Sequence, residues 1–179
     1  MILVLTGPVH GGKTTFLEGS VARWAARGLV CGGFLSIAAS DPDGGKGYDL
    51  LELRSGRRRP FLRLQGVPGA ERTGPFSFVP ETLDRARTLI REAAPAELLV
   101  VDEVGPLELR GGGLWADLER TVARPGRKTL MVVREEILED VVAALAPLIP
   151  FVFDVRDPGV RGLLDERLFG RVGSDDGQG

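Results

Sequence analysis

Lysine is scarce in this 179-residue chain: only Lys13, Lys46 and Lys128 stand against twenty arginines, a bias we attribute mainly to genome composition. There is one cysteine, Cys31, and one histidine, His10, so an internal disulfide and a cysteine-based metal cluster are both excluded within the chain. No apolar run approaches the roughly 18 residues needed to cross a membrane. The first apolar run is interrupted by glycines, which does not fit a signal peptide. Nor is there a strong excess of one charge. The net charge of −2 argues against a broad nucleic-acid surface, and no specific nucleic-acid binding is expected. A composition of 43% apolar and 27% charged residues is ordinary for a globular protein. The length suits one domain with a proper core. These features fit a cytoplasmic location, one domain over residues 1–172, and a disordered tail over 173–179.

Against that background one segment is unusually specific. Gly7-Pro8-Val9-His10-Gly11-Gly12-Lys13-Thr14-Thr15 satisfies G-x-x-x-x-G-K-[ST], the phosphate-binding loop known as Walker A. Its glycines let the backbone curl so that successive N–H groups face phosphate oxygens, and a following helix adds its positive end. Lys13 is then placed for the β- and γ-phosphates and the Thr14 hydroxyl for Mg²⁺. His10 and Val9 occupy variable positions of the loop. The context agrees: Ile2 to Leu5 reads as a strand, and Leu17, Val21 and Trp24 recur at helical spacing up to about Gly28.

Downstream, Val30–Ala38, Tyr48–Leu53 and Pro60–Leu64 read as strands separated by turn residues, the densest being Ser40 to Gly45. They predict an antiparallel meander. Residues 65–75 read as a loop. A helix is predicted from Pro80, a buried strand over Leu98–Val101, and, after Gly111-Gly-Gly113, a helix to about Arg124. Thr129–Val133 is a further strand, Ile137, Val141 and Leu145 mark a helix, Phe151–Val155 a strand, and Val160–Phe169 the last helix. Strands alternating with helices predict a three-layer α/β sandwich, its sheet mostly parallel with the meander at one edge.

Leu98-Leu-Val-Val-Asp102-Glu103 is a second constellation, a strand ending in two carboxylates in the manner of Walker B. Ligands of open α/β sheets bind at the C-terminal ends of strands. Asp102 is expected to orient a water on Mg²⁺, and Glu103 to polarise the attacking water. Arg134 ends a strand on that side and is a candidate for stabilising charge on the γ-phosphoryl group. The basic run Arg57-Arg58-Arg59 reads as a solvated hairpin tip, and Trp24, Trp115 and Cys31 as packing residues.

Three segments together resemble the small thermostable nucleoside-triphosphatases, relatives of the vertebrate cancer-related nucleoside-triphosphatase. They are GPVHGGKTT, the stretch from Gly33-Phe34 through Gly47-Tyr48-Asp49 to Ser55-Gly56-Arg57-Arg58, and Asp102-Glu103-Val-Gly105-Pro-Leu-Glu108. The resemblance covers most of residues 1–170. It implies a RecA-like P-loop fold and slow Mg²⁺-dependent hydrolysis of ATP, GTP and other nucleoside triphosphates by a monomer or weak homo-oligomer. By position, Lys13 and Thr14 bind phosphate and metal, Asp102 assists the metal, and Glu103 is the general base. Where the family often has His-Arg, this chain has Val133-Arg134; where the family has an Asn-Arg pair associated with the nucleotide, it has Val160-Arg161, which makes Arg161 a nucleotide-binding candidate. Two other readings use the same loop: a small-molecule or nucleotide kinase, and a nucleotide-gated accessory factor.

Overall fold

The structure, a computed structural model, describes residues 1–40, 46–64, 66, 68–94 and 98–170. The turn residues at 41–45 and the tail at 173–179 lie outside them. Nine strands among the described residues form one sheet, and its layers can be read from the first strand. In β1 (Ile2–Thr6), Ile2 and Val4 join one buried cluster while Leu3 and Leu5 join another, because successive strand side chains face opposite ways. The cluster of Leu3 and Leu5 is closed by α1 (Lys13–Ala26) and α5 (Val160–Phe169), through Leu17, Trp24, Leu164 and Leu168. The cluster of Ile2 and Val4 is closed by α2 (Pro80–Glu92), α3 (Trp115–Val122) and α4 (Leu138–Ala144), through Leu83, Ile90, Leu118 and Val141. Each such fully buried aliphatic side chain contributes about 1.5–3 kcal/mol. The result is helices on both faces of a sheet.

The remaining strands are β2 (Cys31–Ser40), β3 (Lys46–Glu52), β4 (Arg58–Arg63), β5 (Arg72–Thr73), β6 (Phe76–Phe78), β7 (Leu98–Val104), β8 (Lys128–Val133) and β9 (Phe151–Asp154). Their order across the sheet is β5-β6-β4-β3-β2-β7-β8-β1-β9. From β2 to β9 every pairing is parallel; from β2 to β5 every pairing is antiparallel. The antiparallel half is larger than the predicted meander. Residues 65–75 are not all loop, because Arg72–Thr73 pairs with Phe76–Phe78. Gly74-Pro75 is the two-residue tip of that hairpin, with Gly74 at φ 56°. The helix expected over Ile137–Leu145 is shorter: Ile137 closes a 3₁₀ turn and α4 starts at Leu138.

The meander is fastened to α2 by a buried carboxylate. Glu52 accepts hydrogen bonds from Arg85 (3.0 and 2.8 Å), Ser55 (3.0 Å) and Arg59 (3.2 Å). The Arg85 hydrogen bonds hold its pKa down at about 2. Of the run Arg57-Arg58-Arg59, only Arg57 lies in the exposed turn; Arg58 and Arg59 begin β4, and Arg59 is drawn to buried Glu52, so the solvated-tip reading does not hold for it. Trp24 is buried and donates its indole N–H to Asp165 at 2.7 Å.

Parallel β2 and β7 pack closely only because position 33 is glycine. Gly33 has φ +86°, and a Cβ there would lie 2.0 Å from the Val100 carbonyl oxygen. Gly33→Ala should therefore lose roughly 2–4 kcal/mol of stability, combining a steric clash with left-handed strain. Gly28→Ala, with φ +84° but nothing within 4 Å, should lose only about 1 kcal/mol. Urea unfolding midpoints of the two variants check the difference.

Candidate active site

The loop between β1 and α1 shows why each glycine is there. A Cβ on Gly7 would come 2.7 Å from Val155 Cγ1, and one on Gly11 would come 2.9 Å from the Pro8 carbonyl oxygen. Gly12 has φ +79° and serves as N-cap of α1. Having no side chain, it gives no cap hydrogen bond, and the first turn of α1 carries no acidic residue. The helix's first N–H groups and its positive end are thus left for an anion. Lys13 Nζ bends back and donates to the carbonyls of Gly7 (2.8 Å) and Pro8 (2.7 Å). Burial lowers its pKa, although Glu103, Asp102 and Glu136 pull in the opposite direction. Val9 and His10 are exposed at the crest, with His10 in the left-handed region at φ 60°; Thr15 is exposed one position beyond Thr14.

Asp102 reaches the loop from β7, which is not the neighbour of β1: β8 lies between them. Thr14 Oγ1 donates to Asp102 Oδ2 at 2.9 Å, and the Ser36 N–H donates to the same oxygen at 3.1 Å. Burial raises the Asp102 pKa to about 7, against the two hydrogen bonds and Lys13, which lower it. Hard oxygen donors from a hydroxyl and one carboxylate suit Mg²⁺, which is commonly held by one or two protein oxygens, water and phosphate. Among the described residues no group of three or more His, Cys, Asp or Glu side chains is placed to hold a metal ion.

Adjacent residues of a regular strand point to opposite faces, so Asp102 and Glu103 could not both serve one site from an undistorted β7. A bulge solves this. The β7–β8 register slips between Val101 and Val104, and Glu103 sits at φ +100°. Val104 fills a core position on the same face as Leu99 and Val101, leaving Glu103 half-buried at the sheet rim. There its Oε1 accepts a hydrogen bond from Arg134 Nη2.

The segment after β7 is braced by carboxylates that sequence reading gave no role. Glu108 Oε2 accepts the Gly105 N–H (2.8 Å) and Oε1 the Leu114 N–H (3.2 Å). Glu71, from the end of the chain leading into β5, accepts the Gly113 N–H (2.6 Å) and pairs with Arg87 (2.5 Å). Arg87 also donates to the Gly113 carbonyl at 2.9 Å. Glu108 was visible in the Asp-Glu-x-Gly-x-x-Glu pattern, whereas Glu71 carried no signal. Arg161, at the first turn of α5, lies over the Phe16 ring at 5.3 Å.

A profile of a family described as NTPase matches residues 2–156. The chain belongs to this family. Among its relatives are the nucleoside-triphosphatase THEP1 of Hyperthermus butylicus, 29% identical over 79% of this chain and 75% of that protein, and THEP1 of Methanopyrus kandleri, 29% identical over 80% and 78%. The fold is similar to the solution structure of a human cancer-related nucleoside triphosphatase, with a TM-score of 0.66 and 25% identity over 93% of this chain and 95% of that one. The crystal structure of THEP1 from Aquifex aeolicus shares the fold at a TM-score of 0.61 over 96% and 100% of the two chains, with 19% identity. The enzyme is accordingly a nucleoside-triphosphatase with a P-loop α/β fold. No helix among the described residues is long and apolar enough to cross a membrane.

Burial pushes the Glu108 carboxyl up to about 7, outweighing the backbone N–H groups it accepts. A carboxyl with a raised folded-state pKa binds its proton more tightly in the folded protein, so its contribution to stability falls as pH rises from about 4.5 to about 7. Glu108→Gln should destabilise at pH 5, and the gap from wild type should narrow at pH 7.5; urea unfolding at both values measures it.

Proposed function

We propose that the enzyme cleaves the γ-phosphate from ATP, GTP and other nucleoside triphosphates with Mg²⁺, slowly. In this reading the catalytic domain spans residues 1–172. It acts as a cytoplasmic monomer or weak homo-oligomer without a nucleic-acid partner. The observation that carries the proposal is the Thr14–Asp102 hydrogen bond, which joins the phosphate loop to the buried carboxylate across β8. Composition supports the location, and the net charge of −2 supports the lack of a nucleic-acid surface.

In this reading, Gly7 to Thr15 wrap the phosphates with backbone N–H groups. Lys13 exchanges its two carbonyl partners for β- and γ-phosphate oxygens, a favourable exchange because hydrogen bonds between two charged groups are stronger. Thr14 and Asp102 are the residues that would hold Mg²⁺, which when bound neutralises charge on the β- and γ-phosphate oxygens. Glu103 accepts a proton from the attacking water. Arg134 lies beside Glu103 as the cation for charge developing on the γ-phosphoryl group. Arg161, over Phe16 at the end of α1 nearest the loop, is assigned to the nucleotide beyond its phosphates.

Lys13→Ala should cut phosphate release from both ATP and GTP about a hundredfold or more. Glu103→Gln should cut turnover by about 10²–10⁴ while leaving nucleotide binding intact. Chelating divalent cations should abolish turnover of wild type. Phosphate release with and without candidate acceptors is the measurement, and undiminished release by Lys13→Ala would sink the proposal.

A further inference from the structure

The fold sets Arg134 in an unusual place. It directly follows β8, the strand between β1, which carries the phosphate loop, and β7, which carries Asp102 and Glu103. Val132 is level with Leu5 of β1, and Val133 with Val104 of β7. Arg134 therefore emerges between the loop and the bulge. Its guanidinium is partly buried and ion-paired to Glu103. Burial works against its charge, but Glu103, helped by Glu136, outweighs burial, so its pKa is raised.

The partner is held just as deliberately. Glu103 reaches Arg134 from a backbone conformation, φ +100°, that residues with a side chain rarely adopt and that persists only where surroundings enforce it. In the free protein, then, the two groups expected to act on the γ-phosphate are spent on each other.

We propose that Arg134 is the residue by which this site distinguishes a triphosphate from a diphosphate: a γ-phosphate draws Arg134 out of its ion pair with Glu103. This rests on the hydrolytic roles given above to Glu103 and the loop. A diphosphate has no group at the γ position, so it leaves the ion pair closed. With a triphosphate, Arg134 moves its hydrogen bonds to γ-phosphate oxygens, which carry more charge than one carboxylate. A water O–H proton then passes to Glu103 as the water oxygen bonds to the γ-phosphorus. The bond from γ-phosphorus to the bridging oxygen breaks, and its electron pair leaves with the diphosphate.

The test is a double-mutant cycle on binding, not on turnover. Affinities for a non-hydrolysable ATP analogue and for ADP, both with Mg²⁺, are measured by calorimetry for wild type, Glu103→Gln, Arg134→Ala and the double variant. Glu103→Gln should raise the preference for the triphosphate analogue about five- to tenfold by releasing Arg134. Arg134→Ala should remove most of the preference, and adding Glu103→Gln to it should restore none. An equal gain from Glu103→Gln in the Arg134→Ala background would overturn the proposal, because it would mean only that a negative charge near the γ-phosphate had been removed. No gain in either background would overturn it too. If Arg134→Ala unfolds, Arg134→Gln replaces it in the cycle. Failure of the underlying hydrolytic reading looks different: Glu103→Gln would then release phosphate as fast as wild type, whatever the binding ratios.

Discussion

A carboxylate in a dry place is the constraint on which the site is built. Asp102 is 2% exposed, at the end of a strand flanked by β2 and β8. A buried charge is costly unless hydrogen bonds or a cation offset it. Its Oδ2 receives one donor from α1 (Thr14) and one from β2 (Ser36). Those two donors fix the spacing between helix, loop and sheet. They do not fully offset burial, since the pKa still rises to about 7. What remains uncompensated is a preference for positive charge at the point where the phosphate loop opens.

The bulge in β7 follows from the same constraint. If Asp102 must face the α1 side to meet Thr14, regular alternation would turn Glu103 into the opposite core, among Leu99, Val101 and the residues of α3. A second charge there would sit among apolar side chains, where burial is costly. Slipping the register by one position gives that core seat to Val104 and brings Glu103 to the rim, where Arg134 compensates it. The strained φ of Glu103 is thus the local cost of placing two neighbouring carboxylates at one end of one strand.

Much of this was legible in the sequence, for physical reasons that differ by element. The loop was legible because phosphate imposes residue types at fixed spacing, and β1, β7 and β8 because buried parallel strands are short apolar runs. The β5–β6 hairpin was not. Its strands have two and three residues, too short for alternation to register, and Gly74-Pro75 read as part of a longer loop. The bulge was invisible because Val101 to Val104 has the composition of an ordinary strand end. Glu71 was invisible because its partner, the Gly113 N–H, lies 42 residues away and is a backbone atom. Asp102 and Glu103 could be named as a pair, but not the means by which they share a site.

That distant brace explains why the antiparallel half belongs to the site. Glu71 and Arg87 hold both polar groups of Gly113, and Glu108 holds Gly105 and Leu114. Glycine at 113 is required, because φ there is +59° and a Cβ would lie 2.1 Å from Glu108 Oε1. The segment leaving the bulge is therefore pinned at both ends by buried or half-buried carboxylates, and Thr73 of β5 packs over Gly105. A bulge beside a free loop would relax, since nothing would oppose the strain at Glu103. Pinned at Gly105 and Gly113, it stays where Arg134 meets Glu103, with Thr73 of the small β5–β6 hairpin set over Gly105.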